Sequence, residues 1–567
     1  MLGRKASRCV AVLNKTAARS SLGLKTAKRM LSSSNWKLLS SKSVNFNSVK
    51  TAKFTAGING AVGLLCVGVG GYSLYNKIEQ QGNWFSEWSN SNIIKLDSFQ
   101  KNFSSTSKAQ EKDSQSQSIN ILAEEAIERK LHSNEYSYSV DREKSEIQRF
   151  DVSQLPSNDP IEDSHVEQIL TNNGNDVWFY GVFDGHGGPY TSSKLSTDVI
   201  PYIARYLAPI FNKPEYSQQD VNNSFQKAFV ELDNDIVLNG FKDLFDSPSR
   251  ETLLEKTLPA ISGSCCLLTM YDTKKSMLTI SITGDSRAIL VSKDHNSDGH
   301  GKSTNNWTVQ ALTKDQTAEV PEEIERIRKE HPEDESRTCI FNGRILGSLQ
   351  PSRAFGDYRY KIDNVDGKKF SELPPEVKMF LRRSPRYLKT PPYVTAAPVV
   401  TSHKIDPSKD KFMVIASDGL YEFLNNDEIA SLVVDWYSRQ TSDNKDKFGN
   451  NGTIVVKDLD SLNPGLKHDS RFKTGLPSIN KDENCSTHII RNALSCGGQK
   501  EYVDTFVSIP SPMSRKYRDD LTVTVVFFGD SKDPITTTSS PSPSSFAAGD
   551  GVTLNEKAST PVSKAKL

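Results

Sequence analysis

Apolar residues are unevenly spread along the chain. Between about residues 148 and 530 they gather in short dense runs: "DVWFYGVFD", "SCCLLTMYD", "SMLTISITGD", "RAILVS", "WTVQAL", "KFMVIASD" and "LTVTVVFFGD". Such runs, several of them β-branched and bounded by polar turns, predict strands. Neighbours such as 276–284 and 287–292 predict hairpins, and hence antiparallel sheet. Three longer stretches predict helices: "PYTSSKLSTDVIPYIARYL", "QQDVNNSFQKAFVELDNDIV" and "NDEIASLVVDWYSRQ". The last opens on an Asn-Asp start signal. Residues 440–515 lack clear periodicity and are expected to be an insertion, as is the stretch near 360–390.

Outside this region the pattern changes twice. Residues 1–53 hold twelve Lys or Arg and no Asp or Glu, with Ser and Ala between them. That is the composition of a mitochondrial transit peptide. Residues 54–76, "FTAGINGAVGLLCVGVGGYSLYN", carry no charge over 23 positions and are bracketed by Lys53 and Lys77. This length predicts a membrane-spanning helix, with Trp84, Phe85 and Trp88 at the interface. Residues 77–147 read as a polar linker containing a short amphipathic helix at "ILAEEAIERKL", and 531–567 as a disordered tail. The final "AKL" resembles a peroxisomal address. A presequence followed by a span leaves open whether residues 148–530 face the matrix or the intermembrane space of the inner membrane.

Composition narrows the chemistry. Net charge is +1 over 567 residues, which gives no electrostatic case for nucleic acid. Seven cysteines without a CxxC point to neither a disulfide framework nor a zinc site. Acids, by contrast, recur at strand ends. Asp184 in "FDGHGG", Asp285 in "TGDSR", Asp418 in "SDGL" and Asp519 in "RDD" each adjoin an apolar run, and Glu162 and Asp163 in "PIEDSH" add two more. A carboxylate at the end of a buried strand is costly unless it is paired or binds metal. Hard oxygen ligands gathered in one place select Mg²⁺ or Mn²⁺, and an adjacent glycine lets a backbone carbonyl approach the ion.

In chain order, "RFDVSQLPSNDPIEDSH", "FYGVFDGHGG", "SGSCCLL", "SITGDSRAIL", "LTKDQT", "NGRILGSLQPSRAFGD", "YVTAAPVV", "MVIASDGLYEFLNNDEI" and "YRDDLTVTVVFF" resemble the successive motifs of the metal-dependent protein serine/threonine phosphatases, type 2C. The resemblance spans about 148–530. It implies an α+β fold, a four-layer α-β-β-α sandwich with two central antiparallel sheets and two metal ions in a cleft at one end. It implies that Asp184 bridges both ions, that the Gly185 carbonyl binds one, and that Asp418, Asp519 and Glu162 complete the ligands. Asp163 matches an outer acid, Asp285 an acid that holds a third, weaker metal, and His186 the general acid.

One position departs from the pattern. Many members place a phosphate-gripping arginine four residues before the metal-binding glutamate, where this chain has Asn158. Asparagine cannot supply a charged fork. The stretch around it resembles the mitochondrial pyruvate dehydrogenase phosphatases, which share that absence. The resemblance therefore implies the phosphorylated E1 α subunit of pyruvate dehydrogenase as substrate. The alternatives are a type 2C phosphatase with another mitochondrial or peroxisomal target, a pseudophosphatase serving as a binding module, and a membrane-anchored scaffold. Every mapped metal ligand is present, which argues against the pseudophosphatase.

Overall fold

The computed structural model describes residues 93–95, 118–140, 145–172, 175–294, 306–441, 455–458, 478–529 and 552–553. The chain divides into two units, one ending at Leu122 and the other beginning at Ala123. In the first unit Ile93–Lys95 and Ser118–Asn120 pair antiparallel. The expected transit peptide and the expected span at 54–76 lie outside the described residues. Among the described residues no helix is long and apolar enough to cross a membrane.

The second unit takes in the end of the expected linker. Helix α1 (Glu124–His132) buries Ile127 and Leu131, four residues apart on one face. Strand β1 (Glu135–Ser139) pairs with β2 (Ile147–Leu155). Two sheets follow. The six-stranded sheet contains β3 (Ser164–Asn172), β4 (Asn175–Phe183), β5 (Cys266–Asp272), β6 (Met277–Thr283), β9 (Val399–Lys404) and β13 (Val552–Thr553), ordered β9-β6-β5-β4-β3-β13. All its pairings are antiparallel. Its last strand lies within the tail expected to be disordered. The seven-stranded sheet adds β7 (Arg287–Asp294), β8 (Asn306–Ala311), β10 (Asp410–Ala416), β11 (Val455–Asp458) and β12 (Leu521–Phe528), ordered β11-β8-β7-β10-β12-β2-β1. Only its β8–β11 pairing is parallel.

Strand periodicity of two builds the layers. In β4, Val177, Phe179 and Phe183 pack with Leu195, Val199 and Ile203 of helix α2 (Tyr190–Phe211) and Phe225 and Phe229 of α3 (Gln218–Asn234). The alternate residues Trp178, Tyr180 and Val182 face the other sheet, against Phe150, Val152, Met413 and Val526. Helices α4 (Asn426–Thr441) and α5 (Cys485–Leu494) cover the far side of the seven-stranded sheet. There Trp436 stacks on Phe527 at 5.3 Å. The result is the α-β-β-α sandwich.

One expectation changes, and two stretches expected to be insertions carry parts of the packed fold. First, 276–284 and 287–292 do not form a hairpin, because β6 and β7 belong to different sheets. Gly284, at φ +114°, turns the chain across from one sheet to the other, where its missing side chain leaves room for Cys265. Second, 440–515 contains α5, whose residues are all buried, and α6 (Lys500–Ser508). Burial all round erases the periodicity that marks a surface helix. Third, the 360–390 stretch contributes Val365, Leu373 and Val377 to the α2–α3 core.

Strand β2 shows how the far helix layer is held. Arg149 makes two hydrogen bonds to the buried Asp151 carboxylate, at 2.8 and 3.1 Å. The same carboxylate accepts the Cys485 backbone N–H at 2.7 Å, at the start of α5. Removing Asp151 leaves a buried guanidinium without its counter-charge and the Cys485 N–H without its acceptor, while the Asn484 side chain still caps the helix at the Thr487 N–H. Asp151→Ala is expected to cost roughly 3–5 kcal/mol, read as a lower urea midpoint of unfolding. An unchanged midpoint would show that the pair contributes nothing to stability.

Candidate active site

Antiparallel register gathers the acids at one end of the sandwich. The end of β4 at Phe183 lies opposite the start of β3 at Ser164, which brings Asp184 to Glu162 and Asp163. The end of β10 at Ala416 pairs with Arg287 at the start of β7 and with Val523 near the start of β12. Asp285, Asp418 and Asp519 therefore emerge at the same edge. Carboxylate oxygens of Asp184, Asp285 and Asp418 all lie within 4.8 Å of one another. Glu162 and Asp519 stand outside that trio.

The electrostatics follow from the crowding. Burial, then repulsion from Asp418, Asp163, Asp519 and Asp285, holds the Asp184 carboxyl well above the usual carboxylate range. Burial, then Asp520 and Asp519, does the same to Asp163. Asp285 is pushed up to about 6, chiefly by burial. Such a group is neutralised either by protons or by cations. Three carboxylates with no thiolate or imidazole among them suit a hard divalent cation. Arg515, in an ion pair with Asp519, places a positive charge at this edge.

Glycines set the close approaches. A Cβ on Gly185 would sit 2.1 Å from the Glu162 carbonyl oxygen, and one on Gly419 the same distance from that of Asp520. Each Asp-Gly pair thus lets two acid-bearing segments touch. Asp520, which sequence reasoning passed over, organises the loop before Glu162. Its carboxylate accepts the N–H groups of Ser157 (2.5 Å), Asn158 (3.2 Å) and Glu162 (2.8 Å). The signal was the doubled acid in "RDD". Glu162 in turn accepts the Gly188 N–H at 2.6 Å and the Asn158 side-chain amide at 3.0 Å.

His186 stands beside the acids on a two-residue strand, Gly185–His186, that pairs with Gly263–Ser264. Its Nε2 is 2.5 Å from an Asp357 carboxylate oxygen. A Cβ on Gly263 would fall 2.2 Å from that nitrogen and 2.3 Å from that oxygen, so glycine makes room for the pair. Burial alone would lower the His186 pKa, but the Asp357 charge outweighs it and the net direction is upward. Burial would likewise raise Asp357, yet the imidazole brings it below the usual range. The pair thus favours a protonated imidazolium and an ionised carboxylate. Asp357 was also missed. It lies 171 positions from His186 in sequence, where no local pattern links them.

A sandwich of two antiparallel sheets, with buried acids and a charged histidine at one end, has the makings of a metal-assisted hydrolase. The comparisons specify it further. The chain belongs to the protein phosphatase 2C family, whose model matches residues 153–448, and is a protein serine/threonine phosphatase. It is 49% identical, over 74% of its length and 75% of the relative's, to the mitochondrial [pyruvate dehydrogenase [acetyl-transferring]]-phosphatase 1 of Saccharomyces cerevisiae. It is 36% identical to a protein phosphatase 2C homolog of Schizosaccharomyces pombe, over 70% of this chain and 83% of that one. With the human mitochondrial pyruvate dehydrogenase phosphatase 1 it shares 30% identity, over 70% of this chain and 81% of the relative.

Two outcomes follow from the site's electrostatics. Asp184→Asn removes a charge that is repelled in the absence of cations. In a chelator the variant is expected to melt above the unmodified protein, while losing the rise in Tm that Mg²⁺ or Mn²⁺ gives. Its turnover should fall by more than the roughly 10–100-fold typical of losing an outer-sphere metal partner. A variant that keeps both turnover and metal-induced stabilisation would remove Asp184 from the metal set. Asp357→Asn deletes the charge that holds the His186 pKa up. The imidazolium then loses its proton at lower pH, so the alkaline limb of the kcat profile should move toward acid. An unmoved limb would separate Asp357 from His186 protonation.

Proposed function

We propose that the chain hydrolyses phosphoserine esters on the E1 α subunit of pyruvate dehydrogenase in mitochondria, with divalent Mg²⁺ or Mn²⁺ as cofactor. In this reading Asp184, the Gly185 carbonyl, Asp418, Asp519 and Glu162 hold two ions, and Asp285 faces a third. The basic arm 1–53 is the mitochondrial address and 54–76 the inner-membrane anchor. The observation that carries the substrate assignment is the 49% identity, over about three quarters of both chains, with the yeast enzyme named for that activity. The absence of an arginine at Asn158 supports it.

When bound, the ions supply an activated water for in-line attack on phosphorus. The chain's own groups do the rest. The serine alkoxide that leaves needs a proton, and His186 is placed to give it. Because Nε2 is held by Asp357, the proton must depart from Nδ1. Asp357 keeps the ring charged and fixes its plane. Asp163 accepts a hydrogen bond from the Thr522 hydroxyl at 2.7 Å, which ties the β3 loop to β12. The water attacks directly, so no covalent phosphoenzyme is needed.

The leaving group provides the first test. His186→Gln should slow hydrolysis of alkyl phosphoserine substrates by roughly 10²–10⁴-fold, and p-nitrophenyl phosphate far less, since that phenolate leaves without a proton. Equal losses would argue against a general acid. Substrate is tested by deleting the gene and following E1 α phosphorylation in isolated mitochondria. Persistent phosphorylation is expected, and normal dephosphorylation would leave the phosphatase without this substrate.

A further inference from the structure

The site has no arginine at position 158, and its asparagine is already engaged. The Asn158 amide donates to Glu162 at 3.0 Å, and the other Glu162 oxygen accepts the Gly188 N–H at 2.6 Å. Across the same glycine turn lies a different guanidinium. Arg382 Nη2 donates to the Gly187 carbonyl at 2.8 Å. A Cβ on Gly187 would meet its Nη2, Cζ and Nη1 at 2.3, 2.6 and 2.7 Å, so the guanidinium plane lies against the bare face of that glycine. Gly187 follows His186 directly. Arg382 forms no ion pair with any acid among the described residues, and its other N–H groups are left without a protein acceptor there.

The arginine is placed by the fold. Tyr358 donates its hydroxyl to the Arg382 carbonyl at 3.0 Å, and Tyr358 is adjacent to Asp357, the partner of His186. Tyr358 itself is fixed by Phe241 and Phe370, at centroid distances of 4.6 and 5.1 Å. The 360–390 stretch around Arg382 is anchored by Val365, Leu373 and Val377 in the α2–α3 core. The same two residues, 357 and 358, therefore hold both the histidine and the arginine at the rim of the acidic site. A planar fork of donors is the group that suits phosphoryl oxygens.

We propose that Arg382 grips the phosphoryl group of the substrate and takes the place of the arginine that Asn158 lacks. The rival guanidinium, Arg515, is committed to Asp519. The proposal holds for whichever phosphoprotein is the substrate, since phosphate alone probes it.

The experiment measures inhibition by inorganic phosphate, and KM and kcat for p-nitrophenyl phosphate, on the full-length enzyme with Mn²⁺. Arg382→Ala should raise both the phosphate inhibition constant and KM by about 10–100-fold, the worth of a charge-assisted hydrogen bond, with kcat much less changed. Arg382→Gln keeps a donor for the Gly187 carbonyl but no charge, and should behave like the alanine variant. Arg382→Lys, a point charge without a fork, should fall between. Asn158→Arg in the Arg382→Ala background should recover most of the lost phosphate affinity. Unchanged phosphate inhibition in Arg382→Ala overturns the proposal. So does wild-type behaviour of Arg382→Gln, which would make Arg382 a brace for the turn. A loss confined to the protein substrate also overturns it, because Arg382 would then touch the polypeptide and not the phosphoryl group. Loss of phosphate inhibition in Arg515→Ala alone would assign the grip to Arg515.

Discussion

Repulsion between buried carboxylates is the constraint around which this molecule is arranged. Asp184, Asp285 and Asp418 bring oxygens within 4.8 Å of one another. At an effective dielectric of about 20, two unit charges so placed repel by about 3–4 kcal/mol. A sandwich core has no reason to gather such groups, and left alone the chain would part them. It cannot, because each acid is tied to the end of a strand whose register is fixed by many backbone hydrogen bonds and by apolar side chains on both faces. Strand pairing imposes the crowding, and the crowding gives the edge the charge that suits a cation.

Holding acids against their repulsion takes a rigid surround, and the residues around Asp285 provide one. Arg287 forks onto Asp315 at 2.9 and 2.6 Å, reaches Asn426 at 2.9 Å and lies 4.2 Å over the Tyr421 ring. Gln316 accepts the Gly284 N–H at 2.8 Å, fixing the turn that presents Asp285. The "GDSR" and "KDQT" stretches, far apart in sequence, are thus two halves of one brace. Asp315 and Gln316 touch no reacting atom. They keep a neighbouring acid from retreating.

The legible parts of the sequence were those where burial and polarity agree. Strands β4, β5, β10 and β12 are apolar on both faces and bounded by turns, so their pattern spoke directly. Strands β2 and β3 were readable only through motif resemblance, because buried polar residues are interleaved with their buried apolar ones. Arg149 and Asp151 pair under the helix layer, and His165 bonds Glu167 at 3.0 Å inside the sandwich. Periodicity counts such residues as exposed. The supposed hairpin at 276–292 misled for another reason. Closeness along the chain fits a hairpin and a crossing between sheets equally well, and only the partners of β6 and β7 decide. The acids were visible because each sat beside glycine at a strand end. The pairings of Asp357, which closes the quoted "NGRILGSLQPSRAFGD", and of Arg382 were invisible, since their partners lie 171 and 195 positions away.

Those long-range contacts bear on how a family fold becomes a particular enzyme. The acids, the glycines and His186 come from strand ends that the sandwich must have. Asp357 and Tyr358 come from the segment that leads into the 360–390 stretch, and they reach the site through His186 and the Arg382 carbonyl. Asp357 sets the charge of the histidine, while Tyr358 carries the aromatic packing of Phe241 and Phe370 to the backbone of Arg382. A change in how that stretch packs would move the guanidinium at the rim and the residue next to the His186 partner together. The charge of His186 and the placement of the guanidinium are therefore joined through one dipeptide. A sequence could lose the usual arginine before Glu162 and still offer a guanidinium to the same turn, because the second route depends on core packing and not on the loop that was altered.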